Sequence, residues 1–141
     1  MKKEVAILGA TGMVGQRFVS LLSDHPYFEV TSLYASEHSE GKLYKDAARW
    51  VLESDIPEYA KNMPLKSFEN IDRVNEKIIF SALPAEVANT LEIELAKKGH
   101  FVFSNTSSHR YDPFVPILIP EANPEHLEAV KYQGTTGFIV T

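Results

Sequence analysis

The 141-residue sequence contains no cysteine. Disulfides and thiolate metal sites are therefore excluded, and so is the strongest side-chain nucleophile. Positive charge is not in excess either. Fourteen basic against 19 acidic side chains leave a formal net charge of −5, which argues against a domain that grips nucleic acid or an anionic membrane. No basic patch interleaved with aromatic residues occurs. Long apolar runs are also missing: nothing approaches the ~18 residues of a membrane span. The run Val5–Leu8 is too short for the apolar region of a signal peptide. His25, His38, His100, His109 and His126 fall in no metal-ligand spacing, and without cysteine a zinc site would need distant carboxylates. What remains is an ordinary globular balance, 44% apolar and 23% charged. It excludes a disordered chain and fits one cytoplasmic domain over residues 1–141.

Val5–Leu8 is apolar without alternation, as in a parallel strand covered on both faces. Val14, Phe18, Leu21 and Leu22 then recur at helical spacing until Asp24-His25-Pro26 stops the helix. Phe28–Ser36 is β-rich and predicts a second strand. The opening therefore reads as a βαβ unit. Ser36–Lys45 reads as a loop, Asp46–Lys61 is ambiguous between strand and helix, and Leu65–Phe68 is a weak strand. Lys77–Leu83 predicts a buried strand closed by Pro84. Glu86–Lys98 predicts a helix with Val87, Leu91 and Leu95 on one stripe, ended by Gly99. Phe101–Asn105 and Thr136–Thr141 read as strands, Pro124–Tyr132 as helical, Ser107–Pro116 as turns and Ile117–Ile119 as a short apolar run. This alternation implies an α/β fold: a doubly wound, Rossmann-like, mostly parallel sheet with helices on both faces.

Gly9-Ala10-Thr11-Gly12-Met13-Val14-Gly15 lies where the first strand meets the first helix. Glycine there permits a sharp reversal, close approach to a pyrophosphate and tight helix–sheet packing, because it lacks a Cβ. The helix start offers free N–H groups and the positive end of its dipole to phosphates. The spacing is GxxGxxG rather than GxGxxG, and its place between strand and helix is the context that supports a dinucleotide site. A tight turn without ligand is the plain alternative. An NAD site usually places Asp or Glu near the end of the second strand. Here that strand ends in Tyr34-Ala35-Ser36 and leads to Ser39 and Lys42, donors suited to a 2′-phosphate. NADP is therefore expected over NAD, provided that Glu37 and Glu40 point away; a solvated loop is the alternative.

With those residues in place, the chain resembles the N-terminal part of the aspartate-semialdehyde dehydrogenases, most closely the archaeal and fungal type. GATGMVGQ at Gly9–Gln16, ASEHSEGK at Ala35–Lys42, FSALP at Phe80–Pro84 and SNTSSHRYDPFVPILIPEAN at Ser104–Asn123 carry the resemblance, with GFIVT at the end. His38 departs from the arginine that the family often has. The resemblance implies reduction of aspartyl β-phosphate through a cysteine thioester, with hydride from NADPH and a histidine as acid and base. A thioester is more electrophilic than a carboxylate and holds the intermediate covalently. In the family that cysteine follows GFIVT within a few residues. The chain is accordingly expected to be the NADP(H)-binding domain of an enzyme whose catalytic and dimerisation domain lies elsewhere. It would hold no catalytic residue of its own, and the whole enzyme would be a homodimer or homotetramer acting on a small molecule.

By the same resemblance Arg110 binds the transferable phosphate, for which a planar five-donor fork is well suited; an arginine paired with Asp112 is the alternative. Asn105 falls where the family lines the nicotinamide and substrate region, or is a turn amide. Ser81, Ala82, Leu83 and Pro84 match the segment passing beside the cofactor, or form a plain strand-to-helix junction. Gly9, Thr11, Gly12, Met13 and Val14 complete the expected cofactor contacts, with no metal ligand among them. Glu92 and Glu94 beside Lys97 and Lys98 read as a solvated helix face, and Trp50 as a core or interface anchor. Two rivals remain, and a third lacks its residues. Malonyl-CoA reductase shares the fold and the thioester logic, and a non-catalytic NADP-binding module would need no nucleophile. A short-chain dehydrogenase would want Lys four residues after a Tyr, and none of the six tyrosines has it.

Overall fold

A computed structural model describes all residues, Met1–Thr141. Six strands form one sheet: β1 (Lys3–Leu8), β2 (Phe28–Ala35), β3 (Leu65–Ser67), β4 (Ile78–Ser81), β5 (Phe101–Ser104) and β6 (Phe138–Val140). The order is β3-β2-β1-β4-β5-β6 and every pairing is parallel. The order reverses at β1, which has β2 on one side and β4 on the other. That reversal opens a crevice beyond the carboxyl ends of these strands.

Alternate residues of β1 feed two separate cores, as the two-residue period of a strand requires. Val5 and Ile7 pack with Val19, Leu22, Leu33 and Leu65 under α1 (Met13–Leu21). Ala6 and Leu8 pack with Ile79, Leu83, Ala88, Leu95 and Val102 on the opposite face. Two one-turn helices, α2 (Tyr44–Ala47) and α3 (Glu58–Lys61), stand at the two ends of the stretch that periodicity left ambiguous, and residues 48–57 between them are neither helix nor strand. The opposite face is covered by α4 (Ala85–Lys97).

One detail differs from the sequence reading, and two others are filled in by the structure. Tyr44 is not a loop residue but a fully buried one opening α2, because its hydroxyl finds a buried acceptor in Ala10 O at 2.8 Å. The stretch Pro124–Tyr132 is a 3-10 helix with no buried residue, so no packed face favours the wider α-turn. The run Ile117–Ile119 forms no strand. Its neighbourhood is tied to the chain beyond β6, with Leu118 N–H donating to Thr141 O at 2.8 Å and Thr141 N–H to Pro116 O at 3.0 Å.

Candidate functional site

The crevice predicted by the topology contains a cavity of about 440 Å³ lined by Gly9, Thr11, Gly12, Met13, Val14, Ala35, Ser36, Phe68, Ala82, Leu83 and Pro84. Size does not single it out, since an open hollow of about 620 Å³ lies beside Arg17. Its polar geometry does. Gly9 and Ala10 N–H both donate to Tyr34 O at 3.0 Å, which anchors the loop to the end of β2. Gly12 N–H closes the turn onto Gly9 O, and Gly12 O accepts from Gln16 N–H. Ala10 O accepts from the Tyr44 hydroxyl and Thr11 O from the Gln16 side chain. All four carbonyls from Gly9 to Gly12 are thus taken.

The amides of Thr11, Met13, Val14 and Gly15 have no acceptor within the protein. Nor does any side chain or acidic residue cap the first turn of α1. The loop offers donors only, at the positive end of a helix dipole. This is the electrostatic signature of an anion site.

Two glycines of this loop are required by the protein's own packing. Gly9 has φ +75°, and a Cβ there would lie 2.4 Å from Ala82 O. A Cβ on Gly15 would lie 2.0 Å from Gly9 O. Gly12 differs: its φ of −74° and ψ of 168° suit any residue, and a Cβ would meet only Gly9 O at 3.6 Å.

Ser36 reaches the cavity wall, whereas Ser39 and Lys42 stand outside it on the turn that follows β2. Glu40, one of the two acids that complicate a 2′-phosphate site, accepts from Asn70 Nδ2 at 2.8 Å. Glu37 lies 3.9 Å from the exposed imidazole of His38. Ser81 does not reach the cavity; it is fully buried at the end of β4, and its Oγ has no hydrogen-bond partner. Asn105 and Arg110 are exposed beyond β5, with Arg110 Nη2 3.5 Å from Asn105 O. Arg110 forms no ion pair. The Asp112 carboxylate, its alternative partner in the sequence, instead meets His109 Nδ1 at 2.6 Å.

The match to known proteins agrees with this geometry. Residues 4–130 match the family described as semialdehyde dehydrogenase, NAD binding domain. The chain belongs to that family. Among its relatives, the aspartate-semialdehyde dehydrogenase of Archaeoglobus fulgidus is 43% identical over 100% of this chain and 42% of its own length. That of Methanothermobacter thermautotrophicus is 46% identical over 97% of this chain and 40% of its own length. The chain thus spans about two fifths of these relatives. A crystal structure of the Candida albicans enzyme with NADP matches 99% of this chain and 42% of that one, with TM-score 0.87 and 37% identity.

Two features of this semialdehyde dehydrogenase domain escaped the sequence reading. Phe68, just past β3, lines the cavity beside Ser36; an isolated aromatic at a weak strand carried no signal for it. Glu92 is not on a solvated face. It is fully buried, its Oε1 accepting from Ser104 Oγ at 2.8 Å and its Oε2 lying 3.6 Å from His109 Nε2. The inward stripe of α4 is Ala88, Glu92, Leu95 and Ala96, so the helix is rotated from the Val87, Leu91, Leu95 stripe. That i, i+4, i+7, i+8 spacing could have been found had a glutamate been admitted to it. Burial pushes the Glu92 carboxyl above its ordinary range, against the opposing effect of the Ser104 hydroxyl and of His109.

Proposed function

We propose that the cavity seats NADP(H) and that the chain is the nucleotide-binding domain of an aspartate-semialdehyde dehydrogenase. That enzyme would reductively dephosphorylate L-aspartyl 4-phosphate to L-aspartate 4-semialdehyde. One observation carries the nucleotide reading, and it is Gly12. The fold accounts for Gly9 and Gly15 but places no demand on Gly12, which stands at the mouth of a donor-only loop. A glycine that the protein does not need marks a point where the protein backbone must approach a ligand closely.

In this seat the amides of Thr11, Met13 and Val14 receive the diphosphate. Ser36 faces the adenosine ribose, and Ser39 and Lys42 supply donors for its 2′-phosphate. The backbone of Ala82, Leu83 and Pro84 flanks the cofactor, with Asn105 and Arg110 toward the substrate and Arg110 serving the transferable phosphate. The likeness to the Candida albicans enzyme with NADP supports the phosphorylated cofactor. When bound, the nicotinamide exchanges a hydride with the substrate. The chain's own residues bind and orient. Because the sequence has no cysteine, the 141 residues alone bind nucleotide without turnover.

Titration of the chain with NADP and NAD in one buffer tests this reading, repeated with Gly12→Val. NADP is expected to bind more tightly than NAD, and the folded variant to lose both. Equal affinity for the two nucleotides would remove the role of Ser36, Ser39 and Lys42. Undiminished affinity in the folded variant would overturn the seat itself. Phosphate-dependent oxidation of the semialdehyde by the chain alone would overturn its dependence on a separate nucleophile.

A further inference from the structure

The donor-only character of loop 9–12 is imposed from behind by two buried side chains. Gln16, 2% exposed on α1, uses its whole carboxamide. Its Nε2 donates to Thr11 O and to Arg49 O, both at 2.9 Å, and its Oε1 accepts from Val51 N–H at 2.9 Å. Only this amide orientation works, because exchanging O and N would set an oxygen against two carbonyls. Tyr44, fully buried at the start of α2, donates to Ala10 O at 2.8 Å. Trp50 packs edge-on against its ring at 6.3 Å between centroids. The stretch from Tyr44 to Val51 therefore forms a strap across the back of the loop.

We propose that Gln16 and Tyr44 are positioning residues that aim the amides of loop 9–12 at the nucleotide diphosphate. The reason is peptide geometry. In a planar trans peptide the C=O and the following N–H point in opposite directions. Tyr44, by holding the Ala10 carbonyl, turns the Thr11 N–H the other way, and this amide has no partner in the protein. Gln16, by holding the Thr11 carbonyl, orients the next N–H, that of Gly12, onto Gly9 O and so closes the turn. Without these two bonds, both peptide planes could rotate and present an oxygen to an anion. Burial raises the Tyr44 phenol well above its ordinary range, so it remains a donor at any working pH. The inference rests on the NADP reading above.

Its test compares two ligands on the 141-residue chain: NADP, which carries the diphosphate, and adenosine 2′-phosphate, which lacks it. Losing one neutral hydrogen bond, Tyr44→Phe is expected to weaken NADP about tenfold while leaving adenosine 2′-phosphate unchanged. Gln16→Met is expected to act in the same direction and more strongly. Equal weakening of both ligands would assign the two residues a general structural role, and unchanged NADP affinity in a folded variant would remove any role. A measurement on the wild-type chain decides the matter even if both variants misfold. Amide exchange at Val51, which is bonded to Gln16, is expected to slow on addition of NADP but not of adenosine 2′-phosphate. Unchanged exchange with NADP bound would overturn the proposal. Failure of the wild-type chain to bind NADP would instead sink the cofactor reading.

Discussion

Glu92 Oε2 and His109 Nε2 lie 3.6 Å apart with both side chains fully buried. The pair joins α4 to the loop after β5, directly before Arg110. His109 is held from its other side by Asp112, and its Nε2 also lies 3.3 Å from Ala88 O. An imidazole gripped this way fixes where the next residue leaves the surface. Removing either side chain would strand a buried polar group, which is costly.

Glu92 gives a pH signature. Its carboxyl is raised in the folded chain from an ordinary value of 4.5, so the native state holds this proton more tightly than the unfolded state. Stability from this source is present below about pH 4.5 and is lost as pH rises through the folded value. Glu92→Gln removes the titration while keeping an acceptor for Ser104. The stability of the variant relative to wild type is expected to rise between pH 4.5 and 7, followed by urea unfolding. A difference that stays flat over that range would mean that Glu92 does not titrate there.

Glu76 has the opposite sign. Burial by itself would raise its carboxyl, but hydrogen bonds from Ser32 and Thr31, helped by Lys66, hold it below the ordinary value of 4.5. Its contribution is therefore present above about pH 4.5 and lost as pH falls through the depressed value. Thr31→Val removes the 2.7 Å bond to Glu76 Oε1, and is expected to cost about 1–2 kcal/mol at pH 7. The cost should shrink in acid. An equal cost at pH 3 and pH 7 would assign it to packing.

The loop glycines separate fold from function. Gly15→Ala puts a methyl 2.0 Å from Gly9 O, and is expected to destabilise the chain by about 1–3 kcal/mol, measured by thermal or urea unfolding. Gly12→Ala meets nothing closer than 3.6 Å and is expected to leave unfolding unchanged while weakening NADP. If the two variants melted alike, the division between a packing glycine and a ligand glycine would not hold.

Cofactor choice is tested at Ser36. A carboxylate there would repel a 2′-phosphate and accept from a free 2′-hydroxyl. Ser36→Asp is expected to lower NADP affinity about tenfold or more and to raise that for NAD. Parallel isothermal titrations read both; a variant that still prefers NADP would place the 2′-phosphate away from Ser36.

The sequence by itself determined the order of elements. Local patterns suffice for that: an unalternating apolar run makes a covered strand, a glycine triplet makes the turn into α1, and Pro84 and Gly99 bracket α4. It also named most of the cavity wall, since Gly9 and Thr11–Val14 lie in one short loop and Ala82–Pro84 in another. Tertiary structure alone decided what depends on distant segments meeting. The partners of Gln16 at Arg49 and Val51, and the Tyr44 bond to Ala10, lie more than 30 residues away in sequence. Glu92 looked solvated because its spacing matches lysines on its own helix. Only the docking of α4 onto β5 and β6 set it beside Ser104 and His109. Local chemistry is written in neighbouring residues, whereas the partner of a buried polar group is chosen by how the layers stack.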